Sequence, residues 1–575
     1  MSTEFVEDIG KPGDTAQVNE KIQKVKSIES NAEMEDYISK FLDVSDNAKA
    51  EDNKEKLMSL KEGIKAFPKA AMWSVILSSV LIMEGYDTNL LSSFYGQPAF
   101  AKRFGEFFED VGEYQIPAKW QTSLSMCVYV GEVIGLFAAG IINDKIGYRK
   151  TLIGALTLTT VFIFIVFFAQ SAGMLLAGEL LLGLPWGVFQ TLPVSYASEV
   201  CPMVLRIYLT TYVNLCWLFG QLISSGVLRG FSGDSSKWAY KVPFAIQWVW
   251  PIPIMIGIYL APESPWWLVK TGRIEEAKKS LLRLLSESHG SDIKNTMIDM
   301  TLDKMKLTIQ QEERNESETA SYFECFKGTS FRRTRSTALV WLSQNLTGTS
   351  LRKYSTYFFI QAGLSTEMSF TFSIVQYVLG IVGTLSSWFL EKKVGHFTLY
   401  FYGLCGMFSI LMLVGGLGCS SGENISWAIG SLLLVFTLVY DLSLGPMVYC
   451  LVTEIPSVRL RCKTIILARC TYSIAGIIIA IITPYMLNPT AWNWQAKSAF
   501  LWGGFAFLAI VWSYFELPET KGRTFAELDA LYESHTKARD FKHIVPELFN
   551  AEDLIKKMGD DKIKHFVDQG KNEMV

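Results

Sequence analysis

The sequence predicts an all-α polytopic membrane protein with twelve transmembrane helices in two six-helix pseudo-repeats. Three observations carry that prediction. Half of the 575 residues are hydrophobic and 13% are aromatic, with a mean hydropathy of +0.23. Apolar stretches of roughly 20 residues, the length that crosses a bilayer, recur along the chain. Short strings also repeat between its two halves. Ser198-Glu199-Val-Cys-Pro-Met-Val-Leu-Arg206 answers Thr453-Glu454-Ile-Pro-Ser-Val-Arg-Leu-Arg461 at an offset of 255, and Pro262-Glu263-Ser264 answers Pro518-Glu519-Thr520 at 256.

Taken in order, spans are expected near 70–92, 120–142, 151–170, 173–196, 208–228 and 242–261, then 338–360, 368–390, 398–418, 425–450, 464–487 and 498–517. Residues 1–69, rich in Glu, Asp, Lys, Asn and Ser, form a polar segment expected to be largely disordered. Residues 70–261 make the N-terminal six-helix half, 262–337 a central loop with surface helices, 338–517 the C-terminal half and 518–575 a charged tail. Lys145, Arg149, Lys150, Arg206, Lys392, Lys393, Arg459, Arg461 and Lys463 fall on one side of the spans. The other side has Arg229, Lys237 and Lys241 and few others. The positive-inside rule makes the first side, and with it both termini, cytosolic. No signal-peptide pattern precedes the first span.

Composition also narrows the chemistry. The nine cysteines are scattered without a C-x-x-C pair, and none of the five histidines falls inside an expected span, so neither a disulfide framework, a metal site nor a histidine proton relay is expected. The polar segments hold no P-loop, nucleophile–base pairing or metal-ligand cluster, so neither an enzyme nor a cofactor is expected. The net charge of -3 decides little, because insertion into lipid rather than electrostatics sets the main partner.

The informative residues are charges where a bilayer helix should hold none. Glu84 and Asp87 stand three apart, on one helix face; Glu132, Glu179 and Asp441 are further acids inside spans, against Arg352, Lys353 and Arg469. Such groups are costly in lipid, so they face a wet cavity or a partner and mark a transport path, which in a two-half architecture lies between the halves near the midplane. Counting along the helices at about 1.5 Å per residue puts Glu84, Asp87, Glu179 and Arg352 in the outer half, Glu132 and Asp441 nearer the middle and Arg469 toward the cytosol.

Gly140-x-x-x-Asp144-Lys145-x-Gly147-Tyr148-Arg149-Lys150, Pro262-Glu-Ser-Pro-Trp-Trp-Leu268 and Pro518-Glu-Thr-Lys-Gly-Arg523 resemble the sugar-porter family of the major facilitator superfamily. Met83-Glu84-Gly85-Tyr86-Asp87-Thr88, Gly183-Leu-Pro-Trp186-Gly187-Val-Phe-Gln190, Tyr354-Ser-Thr-Tyr-Phe-Phe359 and Asn493-Trp494 look, more narrowly, like the fungal maltose and general α-glucoside permeases, which are proton symporters. The resemblance implies proton-coupled uptake of an α-glucoside, a maltose-like disaccharide, across the plasma membrane by alternating access. Its partners would be the sugar, protons and membrane lipid, without nucleic acid.

The resemblance also implies residue roles. Glu84, Asp87 and Glu132 match acids of the permease pattern and are expected to couple protons. Glu179 stands where many sugar porters have Arg; it either shares a proton with Asp87 or pairs with Arg352 or Lys353. Gln221, Gln344, Asn345 and Tyr449 are expected to face the sugar, although Gln221 also fits an inter-helix hydrogen bond and Tyr449 core packing. Trp186 and Tyr196 read as packing residues. Asp144, Arg149, Glu199, Arg206, Glu454 and Arg461 are expected to form a cytosolic charge network that opens and closes. Arg352-Lys353 departs from the pattern. The pair leaves open a counter-charge for Glu84, Asp87 or Glu179, selection of an anionic solute, or lost transport, and an uncoupled facilitator and a non-transporting sensor stay open beside the symporter. Asn424-Ile-Ser426 is a glycosylation sequon in a short outer loop.

Overall fold

The computed structural model describes residues 58–108, 113–285, 291–314, 322–353, 355, 365–391, 393–420, 425–487, 492, 494–544 and 546. Tyr354, residues 356–359, Lys392, Asn424 and Asn493 lie outside them, as do residues 1–57. Among the described residues ten helices are long and apolar enough to cross a membrane, and the bent pair Leu60–Ala66 and Pro68–Phe94 adds an eleventh. Span seven starts ten residues earlier than expected, as Gly328–Leu346, breaks at Gly348 (φ +94°) and resumes as Thr349–Lys353. Its apolar content is diluted by Arg332, Arg333 and Arg335 in the first turns, where the helix still lies on the side of the charged tail: Arg333 bonds Asp529, and Arg335 bonds Glu516 at 2.8 Å.

The polar N-terminal segment is not wholly irregular. Ser59 and Glu62 cap each other's backbone groups in a capping box and start the helix Leu60–Ala66, which ends where Pro68 opens span one at an angle of 86°. The central loop carries two helices, Ile274–Leu284 and Ser291–Arg314. Its basic start is amphipathic, with Ala277, Leu281 and Leu284 buried.

Glycine decides how closely spans approach at the acids. A Cβ on Gly183 would collide with the backbone of Gly131 in span two, and one on Gly220 with the backbone around Gly85 in span one. Backbone-to-backbone contact of this kind packs helices where lipid supplies no hydrophobic drive. Gly131 and Gly85 directly adjoin Glu132 and Glu84, so these crossings seal the acids from lipid. Replacing Gly183 by Val is expected to force spans two and four apart, costing about 1–3 kcal/mol or more. The check is the yield of monodisperse protein after detergent extraction; an undiminished yield would contradict the crossing.

Candidate functional site

The acids in span one are fully buried and held by donors from neighbouring spans. Gln190 of span four donates its Nε2 to Glu84 Oε1 at 2.6 Å. Trp186 Nε1 and Gln247 Nε2 donate to the two oxygens of Asp87 at 3.1 and 2.7 Å. Trp186, read from sequence as packing, therefore has a polar task. Glu179 is fully buried and neither of its carboxylate oxygens has a hydrogen-bond partner among the described residues; the charge it faces is Asp87. Of the two roles left open for Glu179, the one that pairs it with Arg352 or Lys353 fails.

Those two cations sit side by side in sequence but turn to different partners, as adjacent helical positions must. Arg352 donates to Asp441 Oδ2 at 3.0 Å, while Asn214 of span five holds the other Asp441 oxygen at 3.1 Å. Lys353 Nζ reaches Tyr129 Oη in span two at 2.5 Å. Neither becomes the counter-ion of Glu84, Asp87 or Glu179.

Between the halves lies a cavity lined by Asn89, Glu132, Gln190, Gln221, Asn345 and Lys353, with Arg469, Tyr129, Tyr377 and Tyr472 completing its wall. A smaller chamber beside it shares Trp217, Lys353, Arg469 and Tyr472 and is lined by Gln344 and Tyr449. The four residues expected to face the sugar thus divide in pairs: Gln221 and Asn345 on the main cavity, Gln344 and Tyr449 on the side chamber. Gln221 keeps a buried amide oxygen without a partner, while Asn345 spends its amide on the Tyr472 carbonyl at 2.9 Å. Tyr449 stands edge-on to Trp341 with ring centroids 5.1 Å apart. Beside the charged Glu132, Lys353 and Arg469, the wall is amide, hydroxyl and aromatic, the chemistry that recognises a polyol with apolar faces.

Sequence reading missed Gln190 and Arg469 as site residues. Arg469, placed toward the cytosol by counting, lies on the cavity wall: its Nε donates to Gln190 Oε1 at 2.6 Å and its guanidinium stacks on Tyr472 and Trp341 at 4.0 and 4.4 Å. A continuous chain therefore runs Glu84–Gln190–Arg469 from the first half into the second. Glu132, which lines the cavity itself, accepts from Ser473 Oγ at 3.0 Å, again across the halves. Further out, Tyr377 donates to Asn89 Oδ1 at 2.7 Å, and Arg229 bonds Glu367.

The loop motifs repeat in space as they do in sequence. Glu263 accepts the backbone N–H groups of Tyr148 and Arg149 at 3.0 and 3.3 Å, and Glu519 those of His396 and Phe397 at 2.8 and 3.4 Å, each capping the helix that starts there. Burial holds the Glu263 carboxyl above the usual carboxylate range, against the pull of those backbone donors. Glu199 accepts from Tyr148 Oη at 2.8 Å and Ser264 Oγ at 2.5 Å, and its counterpart Glu454 lies 3.1 Å from His396 Nδ1. Each of these two glutamates faces the arginine of the opposite half, Glu199 with Arg461 and Glu454 with Arg206. Both guanidiniums stack on Phe525 of the tail helix Phe525–Glu533, each 3.7 Å from its centroid.

Two members of the expected network have other direct partners besides the glutamate–arginine pairs. Arg149 donates its guanidinium to backbone carbonyls, Ile258 at 3.4 Å and Tyr259, with Glu263 the acid its charge acts on. Asp144 pairs with Lys463 at 2.5 Å and Lys270 at 3.6 Å. His396, expected outside the spans, opens the helix His396–Leu417 and is buried.

The Asp144–Lys463 pair joins the halves at a partly exposed place, so it should contribute roughly 0.5–1 kcal/mol. Asp144→Asn is therefore expected to shift the balance toward cytosolic opening by about 2–5-fold, read as faster labelling of a single reporter cysteine on the cytosolic side of the cavity. Unchanged labelling would remove Asp144 from the latch.

A membrane bundle in two pseudo-symmetric halves around a polar, aromatic-lined cavity is a transporter of the major facilitator fold. The chain belongs to the sugar transporter family: the family profile described as "Sugar (and other) transporter" matches residues 73–532. It is 47% identical to the general alpha-glucoside permease of Saccharomyces cerevisiae over 485 residues, 84% of this chain and 78% of that protein. It is also 47% identical to the S. cerevisiae maltose permease MAL61 over 491 residues, 85% and 80% of the two. Among solved structures, the proton:xylose symporter XylE bound to 6-bromo-6-deoxy-D-glucose superimposes with a TM-score of 0.68 at 19% identity, covering 81% of this chain and 99% of that one. These relatives are permeases, and the chain is a transporter and not an enzyme.

Proposed function

We propose that the protein takes up an α-glucoside, a disaccharide of the maltose class, together with protons across the plasma membrane, with both termini cytosolic and the two halves rocking about the central cavity. The observation that carries this reading is the chain Glu84–Gln190–Arg469, which connects an intramembrane acid to the cavity wall and to the opposite half. A change of charge at Glu84 alters what Gln190 offers Arg469, and so what the cavity offers the sugar. Gln221, Gln344, Asn345 and Tyr449 serve as sugar-facing groups. Asp87 and Glu179 form an acid pair, and neighbouring carboxylates hold one proton between them more readily than two negative charges. The names of the two yeast relatives supply the substrate class.

One observation favours a second reading. Lys353 lines the cavity, and an ammonium there suits a solute carrying a negative group. Expression in a host lacking its own uptake, with maltose, sucrose, trehalose, isomaltose and charged sugars offered in turn, separates the two. Maltose-class uptake abolished by a protonophore is the expected result. Uptake confined to charged sugars would replace it with the second reading, and protonophore-insensitive uptake would refute coupling.

A further inference from the structure

The cytosolic repeats differ at two positions with a chemical consequence. In the first half, Glu199 is accompanied by Tyr148, which follows Gly147, and by Ser195 four residues earlier on its helix. In the second half the same places hold His396, after Gly395, and Cys450, four residues before Glu454. Ser195 and Cys450 obey the offset of 255 that relates Glu199 to Glu454, while Tyr148 and His396, 248 apart, correspond through the Glu263 and Glu519 carboxylates that cap their backbone N–H groups. Two hydroxyl positions have thus become an imidazole and a thiol, with the carboxylate kept.

We infer that His396, Cys450 and Glu454 form a binding site for a zinc-class divalent cation, with the Glu391 carboxylate, which lies outside that three-residue cluster, turning in as the fourth ligand. The three ligand atoms lie within 4.8 Å of one another and all three residues are buried. His396 Nδ1 is 3.1 Å from Glu454 Oε2 and 3.7 Å from Cys450 Sγ. A tetrahedral zinc with bonds of about 2.0–2.1 Å to N and O and 2.3 Å to S spaces its ligand atoms roughly 3.3–3.6 Å apart, so the two edges that run from His396 Nδ1 are already close to the required length. Cys450 and Glu454 share one helix face at i and i+4, and His396 is fixed by the Glu519 cap on its own backbone.

Glu391 is an independent sign of a missing partner. It ends span eight at 2% exposure, and neither carboxylate oxygen has a hydrogen-bond partner among the described residues, although the side chain faces both His396 and Glu454. A carboxylate so placed suits a cation. Lys521, whose Nζ bonds the Glu391 backbone carbonyl at 2.5 Å, and Arg206 offset the remaining negative charge. The donor set of one imidazole nitrogen, one thiolate and carboxylate oxygens selects zinc over calcium or magnesium. On binding, the Cys450 thiol gives its proton to solvent and its sulfur electron pair to the metal, with no change of oxidation state. Occupancy draws Glu454 away from Arg206 of the opposite half and so acts on the cytosolic latch.

The test uses full-length protein purified in detergent and stripped with a chelator, titrated with Zn2+ against a chromogenic chelator and separately with Co2+. One Zn2+ per chain and a thiolate-to-Co2+ charge-transfer band are expected. Cys450→Ser and His396→Tyr, which install the residues of the first half, should weaken Zn2+ binding by about 100-fold or more, while Cys419→Ser, at an exposed cysteine, leaves it unchanged. Absence of stoichiometric Zn2+ or of the Co2+ band in the unaltered protein overturns the site whether or not the variants fold. So does binding that survives both substitutions or is lost with Cys419.

Discussion

Asp441→Asn is expected to cost about 3–5 kcal/mol of stability, the penalty for stranding one member of a buried ion pair. Arg352 is 6% exposed and Asp441 fully buried, and the carboxylate also receives Asn214 from the first half. Removing its charge leaves the guanidinium beside Tyr440, 4.7 Å from the ring centroid, without the anion it bonds. The measurement is the thermal transition of the detergent-extracted protein, with Arg352→Met/Asp441→Leu as the companion. An apolar pair of similar volume should recover most of the loss, because neither charge is then stranded. If the single substitution melts with the unaltered protein, the pair is not structural. Arg352 would then be free for the coupling role that its sequence position left open.

Asp87→Asn combined with Glu179→Gln is expected to abolish concentrative uptake while leaving downhill exchange of the sugar. One proton moving through about 100 mV supplies about 2.3 kcal/mol, enough for roughly 50-fold accumulation of a neutral solute at one proton per sugar. Without the proton held between Asp87 and Glu179 the ratio falls toward one, even though Glu84 and Glu132 remain. Glu84→Gln acts differently, because its amide still meets Gln190 but no longer presents a charge to the Gln190–Arg469 chain. Glu132→Gln removes an acid from the cavity wall itself, so its effect should include weaker sugar binding. The measurement is accumulation of labelled sugar together with alkalinisation of the medium. Unchanged accumulation in Glu84→Gln, Asp87→Asn, Glu132→Gln and their combination, with and without Glu179→Gln, would sink the assignment.

The bundle was legible because span length and repeat offset are one-dimensional quantities. Ser198-Glu199 through Arg206 and its copy at 453–461 announced two halves, and the glutamates of both copies do face arginines across them. Which way a side chain turns is a property of helix rotation and of the neighbour it meets, and there sequence reading ran out. Arg352 and Lys353 looked like one cationic unit, but about 100° of rotation per residue sends one to Asp441 and the other to Tyr129. Gln190 was quoted as part of a motif without a role, since nothing in the string says it stands between Glu84 and Arg469. His396 escaped notice because its span begins two residues before the apolar run does, a boundary error that turned a buried residue into an apparent loop residue. Gly131 and Gly183 gave no signal beyond their identity, although they set how deeply Glu132 is buried.

Phe525 has one ring and two guanidiniums, one from each half. When the cytosolic ends separate, the ring can follow Arg206 or Arg461 but not both, so every inward opening must break a cation–π contact on the tail. The tail helix is further tied to span seven through Asp529 and Arg333, which biases it to travel with the second half. The helix Phe525–Glu533 thereby bridges the two halves in this structure, and a separation of the halves at this end would cost it one of its two cation–π contacts.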